Sequence, residues 1–147
     1  MKDVVNEVLV FSTVTKSLFS MSEIRVLVTR ILTKLKVRGS VSIHCIGDTR
    51  MRSLNSHYRG KHSTTDVLTF PLREGEYIFD TDHELGDIFI SIPQIIRQAR
   101  RLSIQPREEF VRMLIHGVLH ILGYDHVQAH EAKKMFSLQE KLLSELV

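Results

Sequence analysis

Residues 22–46, SEIRVLVTRILTKLKVRGSVSIHCI, change period midway, and that change decides the fold class. Ile24, Leu27, Val28, Ile31, Leu32 and Leu35 recur at three and four residues, the spacing that gathers apolar side chains on one face of a helix. Ser22 is the expected N-cap and Gly39 the expected stop. Residues 41–46 then read as a strand, with Val41, Ile43 and Cys45 on its apolar side. A buried position of that kind makes Cys45 an inert packed thiol rather than a reactive one.

Working outward, residues 4–12 alternate weakly and are β-branched, which predicts a preceding strand. Gly47 and Asp48 open a short helix through Met51, Leu54 and Tyr58 that Gly60 closes. Residues 65–70 read as a third strand ended by Pro71, and 87–91 as a fourth, with a polar loop or hairpin between them. Three helices follow: 93–102, with Arg97, Arg100 and Arg101 on its polar side; 106–122; and 129–146, through Ala132, Met135, Leu138, Leu142 and Leu143. Strands separated by helices predict a small mixed sheet of about four strands packed with helices, an α/β or α+β fold. Without a repeat, a low-complexity linker or a composition break, residues 1–147 are expected to form a single domain.

With 43% hydrophobic and 25% charged residues, the composition is that of an ordinary globular protein and excludes a disordered chain. The first residues carry Lys2, Asp3 and Glu7 and lack the long apolar run of a signal peptide, and no segment has the apolar length of a membrane span. Cys45 is the single cysteine, which excludes an internal disulfide framework and suits a reducing compartment; the cytoplasm is the expected location. Charge is unevenly placed. Residues 1–62 hold 11 Lys and Arg against 4 Asp and Glu, whereas 63–147 hold 9 against 13. The basic half can attract a polyanion such as RNA, although Arg25, Arg30, Lys34 and Lys36 equally suit the solvated side of a helix.

The chemistry concentrates in residues 116–126, HGVLHILGYDH. Pro106 in the first turn and Glu108 and Glu109 near the positive end of the dipole start the helix, and Gly123 suits its left-handed C-terminal cap. His116 and His120, four apart, share a face. The chain reversal at Gly123 returns His126 toward it, so three imidazoles converge on one metal ion. Three neutral histidines bind zinc at about 2.0–2.1 Å and leave an open fourth position, the catalytic arrangement. Nickel, copper or iron suit the same nitrogens. A pair of helix-surface histidines would be unremarkable; the third, after a helix-ending glycine, is what favours metal ligation. Asp125 either orients an imidazole or forms the turn, and both readings stand. Thr65 and Asp66 either line the same cleft or cap the local backbone. His44 reads as a satisfied sheet residue, and His57, His62, His83 and His130 as solvent-facing.

The spacing also matches the metzincin protease motif H-E-x-x-H-x-x-G-x-x-H except that Gly117 replaces its glutamate. That carboxylate is the general base of peptide hydrolysis, so its loss argues against a peptidase. The letters resemble instead the signature H-G-x-L-H-L-x-G-Y-D-H of the YbeY family of bacterial endoribonucleases. Leu54-Asn55, Tyr58-Arg59, Thr65-Asp66-Val67-Leu68-Thr69-Phe70 and Leu85-Gly86-Asp87-Ile88 look like that family's other blocks, in order. The resemblance implies a metal-dependent, single-strand-specific endoribonuclease that matures the 3′ end of small-subunit ribosomal RNA and acts in ribosome quality control. It implies the ribosomal small subunit and an assembly GTPase as partners, and Arg59 as the functional arginine. A planar guanidinium can hold two phosphate oxygens at once; without the resemblance, the reading of Arg59 as an exposed helix-end cation on the dipole gains weight. A non-catalytic, metal-stabilised ribosome-assembly factor is the alternative of different class.

Overall fold

Four strands form one mixed sheet in the order β1-β2-β4-β3, and its composition follows from what each face must cover. The computed structural model describes residues 6–72, 84–124 and 128–146. Strand β1 (Glu7–Ser12) runs parallel to β2 (Ser40–Ile46), β2 parallel to β4 (Glu84–Ser91), and β3 (Val67–Pro71) antiparallel to β4 at the far edge. Helix α1 (Met21–Lys34) makes the crossover from β1 to β2, as a parallel pair requires. Helices α2 (Asp48–Arg59), α3 (Ile92–Leu102), α4 (Pro106–Ile121) and α5 (Ala129–Leu146) complete the fold, which is the mixed α/β architecture expected.

One face of the sheet carries the main core. Val8, Val41, Ile43, Cys45, Ile88 and Ile90 are buried there with Ile24, Val28, Ile31 and Leu32 of α1 and Phe110, Leu114 and Val118 of α4. The other face holds a smaller cluster, Ile46, Met51 and Leu68, with Leu54, Phe70 and Phe89 packed on it under α2. On the same face His44 lies between two rings, 5.1 Å from Phe11 and 4.2 Å from Phe89, and its Nε2 is 3.0 Å from Asp87 Oδ1. It is the satisfied sheet residue expected. Cys45 is fully buried, and burial pushes its thiol up to about 11, so it is unreactive at neutral pH.

Four boundaries differ from the sequence reading, the first three for a local reason. Ser20, not Ser22, caps α1: its hydroxyl accepts from Glu23 N at 3.1 Å while Glu23 Oε1 accepts from Ser20 N at 3.0 Å, a reciprocal capping box. That carboxylate is also bonded by Arg107 from α4, an exposed pair that links the helix start to α4. The same helix ends at Lys34 rather than running to Gly39, because Lys36 takes a left-handed φ of 58° and Val37 N closes on Leu32 O at 3.0 Å. Strand β3 begins at Val67, since Asp66 Oδ1 accepts from Val67 N at 2.9 Å and turns the chain into the strand. Strand β4 begins at Glu84, within the stretch expected to be loop or hairpin; residues 73–83 of that stretch, with His83, lie outside the described residues.

Candidate active site

Helix α4 is clamped between the sheet, α3 and α5, which explains its near-complete burial. Phe110, Val111, Leu114, Ile115, Val118, Leu119 and Ile121 all face protein. The partly open stripe carries Arg112, His116 and His120, repeating every four residues. His116 and His120 are half-buried on this stripe.

How close α4 lies to the sheet depends on Gly117. A Cβ there would sit 3.0 Å from Ile88 Cγ2 and 3.5 Å from Thr69 Cγ2, a contact tight enough that any larger residue requires Ile88 or the helix to shift. The position that carries the metzincin glutamate therefore faces the apolar atoms of Ile88 and Thr69 in this fold, which offer a carboxylate no partner. At the helix end Gly123 adopts φ 104°, with Tyr124 N bonded to Leu119 O at 3.1 Å, the reversal the sequence predicts.

His116, His120, Arg59 and residues 65–69 line one cleft of about 350 Å³. The two imidazole centroids are 6.5 Å apart with planes inclined by 33°. Each ring has its Nδ1 on a protein oxygen: His116 on Gln139 Oε1 of α5 at 2.8 Å, and His120 on Thr69 Oγ1 of β3 at 3.1 Å. Arg59 ends α2 in the cleft wall, exposed, and makes no hydrogen bond or ion pair among the described residues. Thr65 and Asp66 do line the cleft, and Asp66 also caps the backbone of Val67, so both readings of it hold.

A buried charge cluster backs the cleft. Glu109, 1% exposed, accepts from Arg112 Nη1 at 2.8 Å and from Gln98 Nε2, which also donates to Asp66 Oδ2 at 3.1 Å. Arg112 is bonded by Nε and Nη2 to Glu140 of α5 as well. Burial alone would weaken its protonation, but the hydrogen bonds to Glu140 and Glu109 outweigh it and the guanidinium is held more firmly charged than usual.

His126 and Asp125 lie outside the described residues. His57 and His130 are exposed, as expected, and exposed His62 is bonded to Ser56 Oγ at 3.0 Å. Two partners of the site escaped the sequence reading. Thr69 stood in a quoted block without a role. Gln139 had a visible signal: it interrupts the buried stripe Met135, Leu142 and Leu143 with a carboxamide, and a polar group on such a stripe needs a partner.

These features define a small α/β protein with an imidazole-lined cleft between its edge strand and a buried helix. The same fold occurs in the solution structure of a Thermotoga maritima protein, with a TM-score of 0.69 and 26% identity, covering 95% of this chain and 88% of that one. The sequence profile described as Endoribonuclease YbeY matches residues 11–147. Curated proteins named Endoribonuclease YbeY agree with it. The one from Sulfurihydrogenibium is 41% identical over 119 residues, covering 80% of this chain and 77% of that protein. Those from Persephonella marina and Thermodesulfovibrio yellowstonii are 40% and 42% identical, over 81% and 78% of this chain and 78% and 74% of theirs. The chain belongs to the YbeY endoribonuclease family. Among the described residues, no helix is long and apolar enough to cross a membrane.

Proposed function

We propose that this cleft cuts single-stranded RNA, with His116, His120 and His126 holding one zinc ion and Arg59 engaging the scissile phosphate. The observation that carries the reading is the placement of both Nδ1 atoms on protein oxygens in a cleft that Arg59 also lines. Metal-binding histidines use one nitrogen for the ion and the other for an orienting partner. Neutral imidazoles without thiolates suit zinc, and so the donor set fits.

When bound, the metal supplies positive charge beside the phosphate as phosphorus becomes five-coordinate. The chain's own residues do the rest. Arg59, with two donors in one plane, neutralises and aligns two phosphate oxygens. Thr69 and Gln139 hold the rings in place. The attacking oxygen is either water or the substrate's own 2′-hydroxyl. A 2′,3′-cyclic phosphate product identifies the second, and cleavage of a strand lacking the 2′-hydroxyl identifies the first.

Membership of the family supports ribosomal RNA as the substrate and the 3′ end of the small-subunit RNA as the processed site. The cytoplasm, the small subunit and an assembly GTPase are the corresponding location and partners, and residues 1–147 act as one domain. The test is elemental analysis of the purified protein together with cleavage of single-stranded and structured RNA, with and without a chelator. One zinc per chain and chelator-sensitive cutting of single strands, lost in His120→Ala with the fold intact, are expected. Tight ribosome binding without cutting would replace this reading with a non-catalytic assembly factor. A peptidase is disfavoured, because Gly117 stands where the required carboxylate would be.

A further inference from the structure

Gln139 is 4% exposed, and its two amide atoms face different partners. Oε1 lies 2.8 Å from His116 Nδ1, while Nε2 donates to Glu140 Oε2 at 3.2 Å. A carboxamide can be turned over with almost no change of shape, so its direction is set by its neighbours. Glu140 decides here. Its carboxylate only accepts, and Arg112 holds it through Nε at 3.1 Å and Nη2 at 3.2 Å. The amide nitrogen must therefore face Glu140 and the oxygen must face His116. An oxygen that only accepts requires Nδ1 to carry the proton, which leaves the lone pair of the neutral ring on Nε2.

The chain of bonds continues through Arg112 to Glu109, from Glu109 to Gln98, and from Gln98 to Asp66, which lines the same cleft as His116. The Thr69 hydroxyl beside His120 Nδ1 can donate or accept, so that contact by itself does not select a tautomer.

We propose that Gln139, oriented by Glu140 and Arg112, is a positioning residue that selects the Nδ1-protonated tautomer of His116. Its consequence for metal affinity rests on the ligand role proposed above; the tautomer itself does not.

The experiment uses long-range proton–nitrogen correlation spectra of the histidine rings in full-length, metal-free, nitrogen-15-labelled protein, followed by zinc titration against a chromophoric chelator. In the wild type His116 gives the Nδ1-protonated pattern. Gln139→Leu mixes the tautomers and weakens zinc about 10–100-fold, the usual cost of losing such a partner. Glu140→Ala removes an exposed side chain without opening the core, and by freeing the amide to turn it gives a partial mixture, so the proposal is tested even where Gln139→Leu does not fold. A wild-type pattern and unchanged zinc affinity in both Gln139→Leu and Glu140→Ala overturn the proposal. Tautomers that shift as described in the variants, with a wild type that binds no zinc, would sink the metal reading and leave the positioning role standing.

Discussion

Gly117 of α4 faces Ile88 of β4 so closely that an added Cβ would stand 3.0 Å from Ile88 Cγ2. The contact lies in the middle of the turn joining His116 to His120, so anything that pushes the helix off the sheet also moves both rings relative to Thr69. Gly117→Glu is expected to be strongly destabilised, by about 3 kcal/mol or more, because it forces a carboxylate into an apolar contact without a partner. Restoring the metzincin letter in this way gives no peptidase activity. Urea denaturation measures the first effect, and a casein or peptide assay the second; a stable Gly117→Glu with proteolysis would reverse the argument.

Glu109 is a buried carboxylate whose oxygens both have partners, Arg112 and Gln98. Its removal leaves Arg112 with Glu140 alone and Gln98 with Asp66 alone. Glu109→Ala should cost about 3–5 kcal/mol, the range for breaking a buried pair from one side. Glu109→Leu, which also removes the carboxylate but refills the space, should recover part of that loss. Equal stability of both variants and the wild type in denaturant titrations would mean the cluster contributes nothing.

The thiol of Cys45 gives a pH signature. Its folded value, about 11, lies above the ordinary one, so the native state keeps a proton that the unfolded chain releases first. Stability from this group is complete below about pH 9 and is lost as pH rises toward 11. The shift corresponds to about 2–3 kcal/mol at most. Cys45→Ala lacks this titration. The stability advantage of the wild type over Cys45→Ala should therefore shrink across that alkaline window, as followed by urea midpoints at successive pH values, and a constant difference would contradict it.

Legibility varied with how local the cause was. The stripe in α1 and the alternation in β2 were readable because burial on one face imposes a period on the letters, and the positive φ at Gly123 because glycine adopts it without a steric cost. Cap Ser20 was missed for Ser22 because both lie at the same helix start and only the reciprocal bond with Glu23 distinguishes them. Strand order β1-β2-β4-β3 was not readable, since it depends on pairing between distant segments. In the site, His116 and His120 declared themselves by spacing on one helix. Their partners Thr69 and Gln139 are 51 and 23 residues away in sequence, so no local pattern connects them.

Arg59 separates catalysis from stability more cleanly than any other position in the cleft. It is exposed at the end of α2 and bonds to none of the described residues, so Arg59→Ala should leave the unfolding midpoint within about 0.5 kcal/mol of the wild type. If its guanidinium neutralises the phosphate in the transition state, kcat on single-stranded RNA falls by about 10²–10³-fold, as for other lost oxyanion donors. Arg59→Lys keeps the charge but loses the planar fork, and should recover only part of the rate. Single-turnover cleavage with saturating enzyme distinguishes this from simple RNA attraction: a binding role lowers affinity and spares the rate at saturation. Full recovery by lysine would reduce Arg59 to a point charge, and unchanged cleavage in Arg59→Ala would remove it from the site.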